Sequence, residues 1–293
     1  MILSIITINY NDATGLQKTL NSTLSQTYTD FEHVIVDGAS PDNSVEIIEK
    51  YAQVASQRGI KVNWISEKDK GIYNAMNKGI KMVSGEYIEI LNAGDILASV
   101  DVVEKMYKAL EEKKYPEILY GNMLKTVDWI HIKRDNCGGN SEYAPNSFLY
   151  FYNGTLNHDC AYIKRSLFDK FGFYNEEMKI CSDWEWYVRA IVLGNVEPIY
   201  VNIDVTIFDM NGISESGGKN KHIIIKEKNE YLNSILPMAV LNDYKNYAFI
   251  IFQYQRLKKY KLWTIVYLIE RVIFKLEKLL LKVRRKQIIN CKF

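Results

Sequence analysis

The sequence predicts an α/β protein: a mostly parallel sheet flanked by helices, followed by a helical C-terminal extension. Three observations carry that prediction. Short β-rich apolar runs alternate with stretches of helical spacing through the first hundred residues or so. Each run stops abruptly in a polar cluster. From residue 245 onward the composition turns basic and apolar, with few turn signals.

Residues 2–8, ILSIITI, form a run suited to a buried parallel strand, and Asn9-Tyr10-Asn11-Asp12 ends it. Leu16, Leu20 and Leu24 then recur at the spacing of one helix face. A second strand, His33–Val36, runs into Asp37-Gly38-Ala39-Ser40; Ser40 followed by Pro41 predicts a helix start, with Ser as N-cap and Pro at the first helical position. Val45, Ile48, Tyr51, Ala52 and Ala55 supply that helix's inner face. Val62–Ile65 is a third strand, followed by polar Ser66–Gly71 and a helix over 72–83 that buries Ala75, Met76, Ile80 and Val83. Gly85 stops it, and Tyr87–Leu91 is a fourth strand ending at Asn92-Ala93-Gly94-Asp95. The alternation implies right-handed crossovers and a parallel sheet. All the polar clusters after strands fall at C-terminal strand ends, the edge where open sheets bind ligands.

Residues 96–215 mix helices and short strands without a linker, so 1–215 reads as one domain. Residues 216–220, SGGKN, form a loop into a mainly helical segment, 216–293. No internal repeat is present.

Composition narrows the function classes. Hydrophobic residues make up 47% and charged ones 25%, as in an ordinary globular protein. The 21 Tyr suit a carbohydrate-facing surface, a membrane interface or simply a Tyr-rich core. Net charge is +2, but residues 245–293 carry thirteen Lys/Arg against Glu270 and Glu277, which leaves 24 basic and 33 acidic residues before them. An acidic body with a basic tail predicts an anionic partner at the tail. Cys137, Cys160, Cys181 and Cys291 have neither zinc-site nor disulfide-framework spacing. The first residues lack the basic start of a secretory signal, and no uncharged apolar run reaches membrane-spanning length; the expectation is a cytoplasmic protein.

Asp37, Asp69 and Asp95 stand near three successive strand ends. Taken singly, each is ordinary turn chemistry. Together they converge on one rim of the sheet, as a nucleotide-sugar site requires, because a departing diphosphate needs its charge neutralised by a divalent ion on one or two carboxylates. Asp95, on a tight turn after a buried strand, is the best-placed ligand for Mg²⁺ or Mn²⁺. Neither a P-loop nor a G-x-G-x-x-G after the first strand is present. A nucleotidyltransferase would need a Gly-rich basic loop where Asn9–Asp12 stand.

The ordered set ILSIITINYN, HVIVDGAS and SEKDKGIYNAMNKGIKMVSGEYIEILNAGD resembles the nucleotide-binding half of glycosyltransferase family 2, the inverting transferases of GT-A-like, Rossmann-type fold. The likeness is close over 1–100 and weaker to 215, making 101–215 the acceptor half. It implies transfer of a sugar, with inversion, from a nucleoside diphosphate donor, UDP-linked, to a hydroxyl of a glycan or lipid-linked acceptor in bacterial surface polysaccharide synthesis. By this resemblance Thr7, Asn9, Tyr10, Asp37, Asp69, Gly71, Asn74, Asn92 and Asp95 bind the donor, with Asp95 also on the metal. Many members have Asp-x-Asp-Asp where this chain has Asn92-Ala93-Gly94-Asp95; a branch of the family resembles this Asn-x-Gly-Asp form. A degenerate protein that binds nucleotide without turnover is the alternative this departure leaves open.

Inversion needs a base on the acceptor hydroxyl. The resemblance assigns it to Asp183, in Cys181-Ser182-Asp183-Trp184-Glu185 at a helix start; otherwise Asp183 only complements the helix dipole. Trp184 either stacks on an acceptor sugar or packs in the core. His158 either contacts diphosphate or acceptor or is structural. Asn211-Gly212-Ile213-Ser214 either closes over the donor or is a turn, and Glu185 and Arg189 have the spacing of a helical ion pair. In the tail, basic clusters around Arg256–Lys261 and Lys282–Lys286 enclose an apolar and aromatic stretch, the pattern of a helix lying on an anionic membrane's inner face; the alternative is a helical pair packed on the domain or a homodimer partner. No nucleic-acid recognition module accompanies the charge.

Overall fold

The computed structural model describes residues 2–126, 132–139, 145–208, 220–259 and 263–290. The chain divides into two units, Met1–Tyr231 and Leu232–Phe293.

The first unit opens with β1 (Leu3–Asn9), α1 (Ala13–Leu24), β2 (Phe31–Asp37), α2 (Ser44–Gln57), β3 (Lys61–Ser66), α3 (Ile72–Met82) and β4 (Tyr87–Ile90). β1 pairs in parallel with β2 and β4, and β2 with β3, so the first half is the predicted crossover sheet. β1 and β2 are buried along their whole length, which is why their sequences are nearly unbroken apolar runs. At the edge, β3 is partly exposed and presents Lys61, a charge that discourages pairing with another sheet. Leu16 and Leu20 of α1 are completely buried, each worth about 1.5–3 kcal/mol of burial.

The second half continues the same sheet with β5 (Ile96–Leu97), α4 (Val102–Glu112), β6 (Ile118–Thr126), β7 (Ile132–Asp135), α5 (Phe148–Asn153), β8 (Ala161–Lys164), α6 (Ser166–Phe171), α7 (Ser182–Tyr187) and β9 (Pro198–Phe208). The strand order is β3-β2-β1-β4-β8-β6-β9-β5, with β7 beside β6. β8 is antiparallel to both β4 and β6, whereas the long β6–β9 ladder is parallel.

One expectation changes. The second helix starts at Ser44, not at Ser40-Pro41. Ser40 cannot cap a helix because its hydroxyl donates to Asp37 Oδ1 at 2.5 Å and accepts from the Asn11 N–H at 2.8 Å. Asp42 takes the terminal role instead, accepting from the Ser44 N–H at 3.1 Å and from its hydroxyl at 2.6 Å. The two units meet at 231/232. α8 (Lys221–Ile235) begins in the first unit, where Glu227 is buried and accepts backbone N–H groups from residues 179–181.

The second unit contains α9 (Met238–Lys259) and α10 (Trp263–Asn290). Ile265, Leu268, Ile269, Val272 and Leu276 of α10 recur at helical spacing and are all more than half exposed. Lys278 lies over the Phe274 ring at 4.5 Å and Arg271 over Tyr267 at 5.8 Å. Among the described residues no helix is long and apolar enough to cross a membrane.

Candidate active site

A cavity of about 1220 Å³ opens at the C-terminal ends of the strands in the first unit. Asn9, Tyr10, Asp69, Gly71, Asn92 and Asp95 border it from the first half of the chain. His158, Asp159, Asp183, Trp184 and Lys228 border it from the second.

On the first side the strand ends brace one another. Asn9 Nδ2 donates to Asp37 Oδ1 at 2.8 Å, leaving Asn9 Oδ1 buried with no hydrogen-bond partner. Asp37 also accepts from the Ser40 N–H (3.0 Å) and the Ser66 hydroxyl (2.6 Å). Burial raises this carboxyl, but the Ser40, Ser66 and Asn9 donors outweigh it and hold the group below its ordinary value. Asp37 is completely buried and stands behind the cavity wall rather than in it. Thr7 is also set back: fully buried, its hydroxyl lies 2.9 Å from His33 Nε2, and His33 Nδ1 lies 2.6 Å from the Tyr51 hydroxyl. Burial drives His33 down to about 3, so its ring is neutral and this is a core network two residues short of the rim.

Tyr10, 69% exposed, presents its ring at the mouth of the cavity. Asp69 accepts from Lys78 Nζ at 2.5 Å, and Lys78 also reaches Glu67 at 2.8 Å. Gly38 sits where a Cβ would come within 3.1 Å of both Asp69 Oδ2 and the Tyr10 ring, so a larger residue there would press these two side chains apart by a few tenths of an ångström. Gly71 begins α3 on the cavity wall. Asn74 does not line the cavity: its amide donates to Glu176 at 2.8 Å, tying α3 to the loop before α7.

The turn after β4 carries the predicted metal ligand. Gly94 has φ +101°, a conformation in which a side chain would be strained. The buried Thr19 of α1 pins the turn, accepting from the Gly94 N–H at 3.0 Å and donating to the Asp95 carbonyl at 2.7 Å. The Asp95 side chain is buried at the cavity edge. The Asn92 side-chain amide lies 3.0 Å from His158 Nε2 and 3.3 Å from Asp159 Oδ1, which ties this turn to the second half of the chain.

On the second side an imidazole is held between two carboxylates. His158 Nδ1 lies 3.1 Å from Asp183 Oδ2, and Nε2 lies 3.1 Å from Asp159 Oδ1. Burial opposes a charge on this ring, but Asp159 and Asp183 overcome it and hold His158 well above its ordinary value. In return, burial raises Asp183, while the His158 hydrogen bond and charge, the Trp184 N–H and the Tyr73 hydroxyl more than reverse it and keep the carboxyl low. The Tyr73 hydroxyl lies 2.5 Å from the Ile180 carbonyl and 3.2 Å from Asp183 Oδ1. Trp184 is packed: its indole N–H donates to the Phe151 carbonyl at 2.8 Å, and Lys228 Nζ covers its ring at 4.7 Å. Burial lowers the Lys228 ammonium. Arg189 grips Glu185 through two hydrogen bonds of 2.8 and 3.0 Å and also reaches the Phe173 carbonyl, so this pair ties loops together beyond its own helix. Asn211–Ser214 lie outside the described residues.

Sequence reading missed Thr19, Tyr73, Asp159, Glu227 and Lys228. Asp159 had one signal, its position next to His158, and Tyr73 had another, its place in the motif that begins α3. The remaining three act through contacts distant in sequence.

The donor set suits a hard divalent cation. Asp95 offers carboxylate oxygen at the cavity edge, as Mg²⁺ and Mn²⁺ prefer. Among the described residues no group of three or more His, Cys, Asp or Glu could hold a metal alone, so a diphosphate and water would complete the shell.

Residues 4–172 match the family described as Glycosyl transferase family 2. An uncharacterised glycosyltransferase of Mycobacterium tuberculosis is 30% identical over 212 residues, 72% of this chain and 76% of that protein. Among solved structures, S. aureus TarS 1–349 in complex with UDP-GlcNAc superposes with a TM-score of 0.61 at 20% identity, covering 82% of this chain and 69% of that one. Mannosyltransferase PcManGT from Pyrobaculum calidifontis, in complex with GDP-Man and Mn²⁺, gives 0.55 at 16% identity, covering 75% of this chain and 60% of that one. The parallel crossover sheet, the cavity at its strand ends and these matches identify the chain as a glycosyltransferase that belongs to glycosyltransferase family 2, with the GT-A-type fold.

Proposed function

We propose that this glycosyltransferase moves a sugar from a nucleoside diphosphate donor, UDP-linked, to a hydroxyl of a glycan or lipid-linked acceptor, inverting the anomeric carbon. The observation that carries the reading is that one cavity is bordered both by the strand-end groups Asn9, Asp69 and Asp95 and by the low-lying carboxylate of Asp183. Donor and acceptor groups thus share one space.

In this reading Tyr10 stacks on the base, and Asn9 and Tyr10 at the cavity wall form the nucleoside's side of the site. Asp69 takes ribose hydroxyls. Asp95 would hold Mg²⁺ or Mn²⁺, which supplies charge neutralisation to the departing diphosphate. Asp183 accepts the proton of the acceptor hydroxyl through its remaining lone pairs. His158, charged between Asp159 and Asp183, keeps Asp183 ionised over the working pH range. A low carboxylate is a weak base, but an oxocarbenium-like transition state asks only for late removal of a proton already acidified by bonding to carbon.

The exposed apolar stripe of α10, on a segment with thirteen basic residues, supports attachment to an anionic membrane on its cytoplasmic side, where a lipid-linked acceptor for surface polysaccharide would lie.

Thermal stabilisation by UDP, GDP, dTDP and CMP, each with and without Mn²⁺, on wild type and Asp95→Ala tests the donor side. A ligand at 100 times its dissociation constant stabilises by about 2.7 kcal/mol. The expected result is metal-dependent stabilisation by UDP that Asp95→Ala removes. Silence toward all four nucleotides would defeat the reading.

A further inference from the structure

Four residues of α8 at helical spacing meet the segment that leads into α7. The Cys181 thiol lies 3.8 Å from the Ile224 carbonyl; Lys228 covers the Trp184 ring at 4.7 Å; and Tyr231 meets the same indole edge-on at 5.8 Å. Between them stands Glu227, buried on the same face. Its Oε1 accepts the Lys179 N–H at 2.6 Å, and its Oε2 accepts the Ile180 and Cys181 N–H groups at 3.1 and 3.0 Å. Among the described residues no Lys, Arg or His forms an ion pair with this carboxylate. Three consecutive backbone N–H groups therefore converge on the oxygens of one buried carboxyl group, a backbone nest around the Glu227 side chain.

The nest sits two residues before Asp183. The carbonyl of Ile180, one of its members, lies 2.5 Å from the Tyr73 hydroxyl, which also reaches Asp183 Oδ1. Moving the 179–181 backbone would move that carbonyl, redirect the Tyr73 hydrogen and alter how Asp183 is oriented. We infer that Glu227 is a positioning residue for sugar transfer: it fixes the entry to α7 and, through Ile180 and Tyr73, the orientation of Asp183. The inference rests on the assignment of Asp183 as the base. It also makes part of the activity depend on a helix lying beyond the 4–172 family match.

Full-length Glu227→Ala and Glu227→Gln test it. Gln keeps one acceptor oxygen for the nest, while Ala leaves three donors unpaired. In Glu227→Ala the amides of residues 179–181 should exchange with solvent about tenfold faster or more, as expected for a loosened local segment. Its kcat should fall about ten- to a hundredfold, the scale of an ångström-level misplacement, with the donor KM within about threefold of wild type. Glu227→Gln should recover most of the loss. Unchanged exchange at 179–181, or kcat in Glu227→Ala within about twofold of wild type, would overturn the inference. So would equal losses in both variants with KM rising alongside, because that pattern is general destabilisation. A fully active Asp183→Asn enzyme would remove the base assignment and this inference with it, while the exchange measurement would still report whether the nest exists.

Discussion

The two sides of the cavity hold their carboxylates by different means. Asp37 is surrounded by neutral donors from neighbouring strand ends: Asn9 from β1, Ser40 from its own turn and Ser66 from β3. Asp183 is held by a charged imidazole and a phenol, and the segment leading to it is clamped by a helix more than forty residues further on. The first arrangement comes with the parallel sheet, because adjacent strands in register deliver their ends to one rim. The second needs α3, the His158 turn, α7 and α8 to have docked. If the first side takes the nucleoside and the second the acceptor, as proposed, damage to the two sides should separate into binding and turnover.

The largest expected effect tests that separation. Asp183→Asn removes the proposed proton acceptor while keeping its shape, and should lower kcat by about 10²–10⁴-fold, the usual contribution of a general base. Donor affinity should stay within a few-fold of wild type, measured by calorimetric titration with UDP. Equal losses in affinity and turnover would break the comparison, since the acceptor side would then be part of the donor site.

Asp69→Asn should do the reverse. Losing a charge-assisted hydrogen bond costs about 1.5–3 kcal/mol, or roughly a 10- to 150-fold rise in the UDP dissociation constant. The turnover number at saturating donor should change little. A large fall in kcat with unchanged affinity would place Asp69 with the chemistry and not with the nucleoside.

The same contrast explains what the sequence allowed. The strands β1 to β4 were legible because each apolar run stops at a polar cluster, and the acids at the rim were found by that rule. Ser40 misled because a Ser-Pro start is a local signal, and Asp37 from the preceding strand end competed for its hydroxyl and won. Thr7 was placed at the rim by resemblance alone; in the structure its hydroxyl serves His33 in the core. The second half was hard to read because β5 has only two residues and β8 runs antiparallel, so no crossover pattern survives. His158 and Asp183 were each noticed, but their pairing across 25 residues leaves no trace in spacing. Glu227 had no local signal of any kind.

The seam between the two halves gives the last and smallest test. Glu89, on β4 one step beyond the Ile88–Ile163 pairing with β8, is completely buried, and neither carboxylate oxygen has a well-formed hydrogen bond. Burial pushes it up to about 8, with the Asp159 charge adding to the shift and the nearby Tyr162 hydroxyl offsetting only part of it. Glu89 is thus mostly neutral at pH 7. The folded state binds a proton here that the unfolded state has released, so this contribution is fully present below about pH 4.5 and is lost as pH rises to about 8. Wild type should lose up to about 1.4 kcal/mol per pH unit across that window relative to Glu89→Gln, which has no proton to lose. Urea unfolding of both proteins from pH 5 to 9 measures the difference. Parallel curves would mean that Glu89 is ionised in the folded protein, and the acceptor side would then carry three carboxylates around one imidazolium instead of two.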